Sequence, residues 1–193
     1  MATLPGGVVN STPCPELIFT RRFSMAHRLI SGCSERCATP HGHNEYVTVT
    51  LRAGKNNFHH RLDGHANMLL PFAEAKGRWH HFIDEHIDHA FQLSASDPLL
   101  GWFKENEPQR VKRIIVTPGD PTTELMAALL MAKLNAFLHD QGDLLTLHSL
   151  ELRETPTNSV RLSGDPLFYL PFTDNLSKDH WWNRADNTIS DLS

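Results

Sequence analysis

Two stretches of alternating residues decide the fold of this chain: LIFTRRFSMAH at 17–27 and HGHNEYVTVTL at 41–51. In the first, the odd-numbered positions form one mostly apolar side that ends at His27. In the second, the odd-numbered positions from His41 onward also share one side, because successive side chains of a strand point to opposite faces. Alternation with a period of two is typical of half-buried β-strands. The two stretches therefore predict neighbouring strands joined by a loop.

The rest of the pattern adds two helices and two further strands. Apolar residues recur every three or four positions from Phe72 to Ala90, which predicts a helix. Asp120-Pro121 supplies a cap and a first-turn proline for a second helix that ends near Gly142. Residues 146–154 and 159–162 are typical of a final strand pair. This order predicts an α+β domain, a four-stranded antiparallel sheet with two helices on one face, and association through its open strand edges.

The chain length of 193 residues suits one domain. We expect a flexible leader at 1–16, the domain at 17–163 and a C-terminal extension at 164–193. Within the domain, 94–120 is interpreted as a largely irregular insert with a short β-like run at 113–116. The extension is polar apart from 167–172 and the pair Trp181-Trp182.

Composition excludes several classes of protein. With 40% hydrophobic and 21% charged residues and a net charge of −4, nothing global indicates binding to nucleic acid or to an anionic membrane. The sequence contains no run of about 18 apolar residues, so it predicts no membrane span. The first residues do not resemble a secretory signal. Three cysteines without such a signal favour free thiols in a reducing compartment. We therefore expect a cytoplasmic protein.

Histidine is unusually frequent, with 13 residues, and His41-Gly42-His43 is the sharpest local motif. Two residues apart on a strand, the two imidazoles project to one face and can converge on one ion. His27 ends the preceding strand, where pairing could bring it opposite. Three neutral imidazoles leave a fourth position open, which is the arrangement of a catalytic zinc site. The alternative is a pair of strand histidines at the surface with an unrelated third.

Cys37 precedes His41 by four residues. A thiol close to a metal ion and imidazoles can ionise near neutral pH and act as a base or a nucleophile. The alternative is a buried, inert thiol, and Cys33 is a neighbouring candidate that spacing alone does not exclude.

The run from His80 to His89 is rich in metal ligands and proton carriers. On a helix, His86 and His89 would share a face, as would Glu85 and His89, so this run is an alternative metal site. It is equally typical of a solvated helix face. The adjacent Asp88 and His89 predict a proton-transfer pair, because a carboxylate orients an imidazole and tunes it.

Taken together, five motifs in order resemble the signatures of the 6-pyruvoyl- and 6-carboxy-tetrahydropterin synthase family over residues 17–163. They are FSMAHRL at 23–29, the Cys37-x-x-x-His41-Gly-His-Asn segment, Ile87-Asp-His89, Pro121-Thr-Thr-Glu124 and Glu154-Thr155. The spacing from Cys37 to His41 is similar to that of the bacterial 6-carboxy-tetrahydropterin synthases of queuosine biosynthesis.

The resemblance implies a T-fold whose sheets join edge to edge into a β-barrel, usually as a hexamer of two trimers with active sites between subunits. It also implies a role for each motif: His27, His41 and His43 would hold Zn²⁺, Cys37 would be the base, and Asp88 with His89 would be the proton relay. Glu154 would bind the ring N–H and amino donors of a pterin, and Thr122 or Thr123 would add further contacts.

The implied reaction converts 7,8-dihydroneopterin triphosphate to 6-carboxy-5,6,7,8-tetrahydropterin, acetaldehyde and triphosphate. Two alternatives remain open: a 6-pyruvoyl-tetrahydropterin synthase with the same residues, and a catalytically silent zinc-binding T-fold protein. Arg28, Lys112 and Arg113 are candidates for contacts with the triphosphate.

Overall fold

The computed structural model describes residues 14–32, 34–57, 64, 67–170 and 179–192. Its strands are β1 (Leu17–His27), β2 (His41–Ala53), β3 (Ala90–Ser94), β4 (Ile114–Thr117), β5 (Leu145–Arg153) and β6 (Ser159–Ser163). Its α-helices are α1 (Glu35–Ala38), α2 (Phe72–Phe82), α3 (Pro98–Asn106) and α4 (Thr123–Asp140). A π-helical turn at Ile83–Ile87 follows α2, and 3₁₀ turns occur at Pro108–Arg113, Pro166–Phe168 and Trp181–Asn183.

The six strands form one mixed sheet in the order β4-β3-β1-β2-β5-β6. The four strands predicted from the sequence are present and antiparallel: β1 with β2, β2 with β5, and β5 with β6. The prediction of a purely antiparallel, four-stranded sheet was wrong, because β3 and β4 extend it in parallel beyond β1. β4 coincides with the β-like run predicted at 113–116, but β3 and β4 have only five and four residues, too few to show that they belong to the sheet.

The main core lies on one face of the sheet, under α2 and α4. β1 and β2 turn their odd-numbered side chains to this face, as the alternation predicted, and Phe23, Val47 and Val49 are buried there. Helix α4 is buried along most of its length. None of the helices in the described ranges is long and apolar enough to cross a bilayer.

Helix α3 packs on the other face. Leu93, Leu100 and Ile114 form a second, smaller buried cluster together with Phe91. Phe91 and Leu93 alternate along β3 with Ala90, which belongs to the main core. Alternating strand residues point to opposite faces, so α3 lies on the face opposite α2 and α4. The prediction that the helices share one face therefore holds for α2 and α4 but not for α3, which lies in the insert at 94–120.

The helix predicted from Phe72 to Ala90 ends earlier. The α-helix stops at Phe82, the π-helical turn follows, and His89 has a left-handed backbone with φ of 61°. Backbone pairing with β1 replaces the helix here, since His89 N–H donates to Ser24 O at 2.7 Å. The apolar spacing that predicted a helix thus continues to Ala90, although the secondary structure changes before that residue.

The N-cap of the second helix lies two residues later than predicted. Thr122 is the residue before the helix, and its hydroxyl oxygen accepts a hydrogen bond from Leu125 N–H at 3.3 Å. The Asp120 carboxylate instead accepts from the backbone N–H groups of Ile30 and Ser31, at 3.1 and 2.7 Å. Asp120 therefore fixes the chain just after β1.

The C-terminal extension packs into the domain. Trp181 is fully buried, and its indole N–H donates to Val116 O on β4 at 2.9 Å. The ammonium group of Lys133, a fully buried residue of α4, donates to Trp181 O at 2.8 Å and to the Asp186 carboxylate at 3.2 Å. Burial lowers the pKa of Lys133 to about 8. A cation buried in this way requires the extension as its partner.

The extension also covers one edge of the sheet. Val116 N–H donates to Ile189 O at 3.3 Å, so the outer side of β4 has backbone partners. β3 pairs with β1 only over residues 25–27. The outer side of β1 over residues 17–24 and the outer side of β6 therefore have no strand beside them within the described part of the chain. These are the edges at which another subunit could pair.

Replacing Trp181 by Ala should destabilise the whole domain. Deletion of a fully buried indole leaves a cavity and costs roughly 3–5 kcal/mol of unfolding free energy. Trp102→Ala is the matched control, since Trp102 on α3 is 48% exposed and its loss should cost less than about 1 kcal/mol. Urea unfolding of both variants measures the difference. Equal losses would show that the extension adds nothing specific to the domain.

Candidate metal and substrate site

Pairing of β1 with β2 brings three histidines together at one end of the core face. His27 lies opposite His41 in the ladder, and Met25 lies opposite His43. One ring nitrogen from each histidine lies within 4.8 Å of those of the other two. His27 is buried, and the other two are partly exposed, so the group opens toward solvent on the β2 side. Among the described residues no other set of histidine, cysteine, aspartate or glutamate gathers in this way.

The hydrogen bonds of two of these rings fix which nitrogen is free. His27 Nδ1 lies 2.9 Å from Pro121 O, and His41 Nδ1 lies 2.8 Å from Thr39 O. A carbonyl oxygen only accepts, so in each neutral ring Nδ1 carries the hydrogen and Nε2 carries a lone pair. Burial lowers the pKa of His27, which favours this neutral form.

The two Nε2 atoms of His27 and His41 then face each other at 3.1 Å. Two lone pairs at that distance repel unless a cation lies between them. Outer carbonyl partners of this kind are a regular feature of metal-binding histidines. The donor set therefore fits a metal ion, and imidazole ligands suit zinc among several transition metals.

Gly42 is required for the strand pairing. A Cβ atom at this position would lie 2.5 Å from Met25 O, well inside contact distance. Any larger residue would push β2 away from β1 and separate the histidines that flank it. The glycine of the His-x-His motif is therefore needed for the close pairing of the β1 and β2 backbones at the site.

Cys37 lies on the loop that joins His27 to His41. It belongs to the single turn α1, and its Sγ accepts a hydrogen bond from Ser34 Oγ at 3.1 Å. Ser34 Oγ in turn accepts from Cys37 N–H at 3.1 Å. Leu29 N–H donates to Cys37 O at 2.8 Å, which ties the turn to the end of β1. Cys33, the neighbouring candidate, lies outside the described residues.

Asp88 and His89 form the predicted pair. His89 Nδ1 lies 2.8 Å from Asp88 Oδ2, and Asp88 Oδ1 accepts from Ser24 N–H at 2.7 Å. Burial opposes ionisation of Asp88, but these two hydrogen bonds outweigh it and lower its pKa. The alternative metal site in this run does not form, because His86 stacks on Phe82 instead.

Glu154 follows the last residue of β5, beside the histidines. Its Oε1 lies 3.9 Å from His43 Nε2. The β2–β5 ladder ends at Tyr46 opposite Arg153, so the next facing pair is Glu45 and Glu154. Burial, together with the negative charge of Glu154, raises the pKa of Glu45 to about 8. Near neutral pH, Glu45 is therefore largely protonated.

A cleft of about 450 Å³ lies at this end of the sheet, and its lining includes His43, Asn44, Arg153 and Glu154. The cleft is large enough for a small organic molecule. His89 lines a different cavity, with Ser24, Met25 and Phe91 among its neighbours, and none of these lines the first cleft. Within one chain, the structure thus separates His89 from the cleft beside Glu154.

The remaining predicted contacts have structural partners. The hydroxyl oxygen of Thr122 caps α4, as described above, and Thr123 begins the helix. Arg28 pairs with the buried Asp97, with Nε 2.7 Å from Oδ2. Arg113 donates to the backbone oxygens of Glu85 and Asp88. Of the three basic candidates for the triphosphate, only Lys112 is left fully exposed.

Two polar residues in this region were not among the predicted site residues. Glu45 and Gln92 are both buried, and Glu45 Oε2 and both polar atoms of Gln92 have no hydrogen-bond partner among the described residues. Each such atom costs about 1–3 kcal/mol relative to a satisfied one. Burial of Glu45 could have been predicted from its position on the apolar side of β2. No pattern in the sequence indicated that Gln92 is buried.

The sequence model of the 6-pyruvoyl tetrahydropterin synthase family matches residues 16–165. The chain belongs to this family. The resemblance inferred from the motifs is thereby confirmed. In sequence, the chain is 30% identical over 139 residues to the 6-carboxy-5,6,7,8-tetrahydropterin synthase of Rickettsia typhi, with 70% of this chain and 92% of that protein covered.

Solved structures of tetrahydropterin synthases share the fold. A protein of Wolinella succinogenes without a known function superposes with a TM-score of 0.64 at 22% identity, covering 80% of this chain and all of that one. The 6-pyruvoyl tetrahydropterin synthase of Caenorhabditis elegans gives 0.52 at 23% identity, covering 79% and 97%. At these identities the structures support the T-fold alone.

Substituting His41 by Ala should abolish tight metal binding. Loss of a residue that only hydrogen-bonds to a metal ligand lowers metal affinity roughly 10- to 100-fold. Loss of a ligand itself is expected to lower metal affinity further. His139→Ala is the control, because the side chain of His139 is 80% exposed and lies on α4. Zinc content after loading and gel filtration checks the expectation. Full zinc in the His41 variant would rule out the three-histidine site.

Proposed function

We propose that this protein is a zinc-dependent 6-carboxy-tetrahydropterin synthase that acts on 7,8-dihydroneopterin triphosphate. The observation that carries the proposal is the convergence of the Nε2 lone pairs of His27 and His41, with His43 beside them, next to a cleft that also holds Glu154. A group of possible metal ligands beside a cleft that holds a carboxylate is what a pterin-side-chain lyase requires.

Glu154 is proposed to bind the pterin ring. The facing Glu45 has a pKa of about 8 and stays protonated near neutral pH, so it adds no second negative charge beside Glu154. A carboxylate accepts two parallel hydrogen bonds from a ring N–H and an adjacent amino group. Thr122 and Thr123 could add contacts from the start of α4, next to the Pro121 carbonyl that orients His27.

His27, His41 and His43 are proposed to hold the zinc ion. When bound, zinc polarises the oxygens of the substrate side chain and acidifies the neighbouring C–H and O–H groups. The carbonyl partners at Nδ1 of His27 and His41 fix the orientation of these rings and leave the Nε2 atoms to face each other.

Cys37 is proposed to accept the proton. The Ser34 hydroxyl directs its hydrogen at Cys37 Sγ, which is the contact that a thiolate accepts. His89, oriented by Asp88, is proposed to carry a second proton. Since His89 is 76% exposed at the side chain and lines a separate cavity, we propose that it completes the site of a neighbouring subunit.

Subunit pairing is proposed to use the uncovered strand edges. The outer side of β1 over residues 17–24 and the outer side of β6 lie at opposite edges of the antiparallel part of the sheet. Pairing between such edges in successive subunits would close a barrel, and the family resemblance implies a hexamer of two trimers. We further propose a cytoplasmic location with no membrane or nucleic-acid partner.

The carboxy product is favoured over the pyruvoyl product by two observations. The relative from Rickettsia typhi, 30% identical, is named a 6-carboxy-5,6,7,8-tetrahydropterin synthase. The interval of four residues between Cys37 and His41 is also similar to that of bacterial carboxy synthases.

Incubation of the zinc-loaded protein with 7,8-dihydroneopterin triphosphate should yield 6-carboxy-tetrahydropterin and acetaldehyde, identified by mass spectrometry. The Cys37→Ala variant, loaded with the same amount of zinc, should give no product because it lacks the base. Formation of the pyruvoyl compound would assign the sister activity. Absence of turnover by the wild-type oligomer would favour a silent zinc-binding protein.

Two inactive variants should complement each other if the site is shared between subunits. Cys37→Ala and His89→Ala should each be inactive, and subunit exchange between them should restore activity at sites that combine an intact Cys37 with an intact His89. A Cys37→Ala/His89→Ala double variant mixed with Cys37→Ala is the control, because no complete site can form. A mixture of the single variants that stays inactive would place both residues in one chain.

A further inference from the structure

A buried glutamine lies beside the histidine group on the side away from Glu154. Gln92 on β3 is the ladder neighbour of His27. Like His27, it belongs to the core face, since it alternates with Leu93, which faces α3. Its exposed fraction is 0%. Gln92 is therefore a polar side chain placed among core residues next to the proposed metal ligands.

The carboxamide of Gln92 has no partner among the described residues. Neither Oε1 nor Nε2 makes a hydrogen bond, and both are shielded from water. Its neighbour on the other strand is Ile115, which offers no polar side-chain atom. Buried amides in folded proteins are normally bonded. An amide without a protein partner at such a place points to a ligand group as its partner.

The placement of Gln92 matches one end of an elongated ligand. Gln92 lies on β3, the histidine group lies on β1 and β2, and Glu154 follows β5. Three interstrand spacings of about 4.8 Å separate β3 from β5, roughly 14 Å across the sheet, and Glu154 is also displaced along the strands, since it faces Glu45 rather than His41. A pterin whose ring binds Glu154 and whose side chain crosses the histidines would extend toward β3.

The chemistry of the amide selects the part of the ligand that it would contact. A carboxamide offers an acceptor oxygen and a donor NH₂ but no charge. These groups complement the hydroxyl groups of a short polyol chain, which both donate and accept. They are a poor match for a triphosphate, for which arginine or lysine is the better partner.

We infer that Gln92 binds the hydroxylated side chain of the substrate, at the end of the site opposite Glu154. This inference rests on the proposed function for the identity of the ligand. Gln92 would hold the side chain across the histidine group, so that its oxygens lie where the metal ion binds. The polar atoms of Gln92 that lack protein partners acquire them from the substrate.

The test compares two ligands in three proteins. The ligands are 7,8-dihydroneopterin triphosphate, which carries the hydroxylated chain, and 7,8-dihydropterin, which lacks it. The proteins are the zinc-loaded wild type, Gln92→Leu, and the control His80→Leu. His80 is a suitable control because its Nε2 is also buried without a partner, yet it lies on α2 against Phe19.

We expect Gln92→Leu to bind the triphosphate ligand about 10- to 100-fold more weakly, the effect of losing one or two hydrogen bonds. It should bind 7,8-dihydropterin as the wild type does, and kcat/KM should fall with the first affinity. Its melting temperature should not decrease, because a leucine removes two unsatisfied buried atoms. His80→Leu should leave both affinities unchanged.

Equal affinities of wild type and Gln92→Leu for the triphosphate ligand, or equal losses for both ligands, would overturn the inference. If Gln92→Leu fails to fold, Gln92→Met, which is closer in length, takes its place in the same comparison. A wild type that binds neither pterin would instead refute the proposed function, and this inference with it, so the two failures are distinguishable.

Discussion

The register between β1 and β2 is the constraint on which the rest of the structure depends. It sets His27 against His41 and places His43 on the same face, two residues along. A slip of one residue would turn every side chain of one strand to the opposite face. Gly42 contributes to this choice, because only a residue without Cβ tolerates the approach of Met25 O. The same alternation that buries Phe23 and its neighbours therefore also brings together the three histidines that are proposed to bind the metal.

The core face changes character along its length. Apolar side chains fill it under α2 and α4, whereas the end near the β1–β2 loop holds His27, Glu45 and Gln92 in buried positions. Burial of polar groups without partners lowers the stability of a domain. The large apolar part of the core, together with the docked extension, stabilises the fold enough for this end to remain polar. A chemically useful site and a stable core thus occupy one continuous surface.

Much of this arrangement could be predicted from the sequence, because the patterns that indicate it involve residues close together in the chain. The period of two predicted β1 and β2, and the His-x-His spacing indicated two of the three histidines that gather at the candidate site. β3 was missed because apolar spacing continued from the helix past Asp88, where pairing with Ser24 overrides helical propensity. The raised pKa of Glu45 depends on its burial and on the approach of Glu154, which lies over 100 residues away in the sequence, and no local pattern encodes that approach.

The docked extension has a consequence for synthesis of the protein. Lys133 sits in the middle of α4, but the groups that bind its ammonium come from Trp181 and Asp186, near the end of the chain. Until residues 181–189 have been synthesised and have left the ribosome, the buried lysine lacks its partners and the outer side of β4 is uncovered. The sheet can therefore reach its final form only after the extension has docked, and the nascent chain exposes an extra strand edge until then.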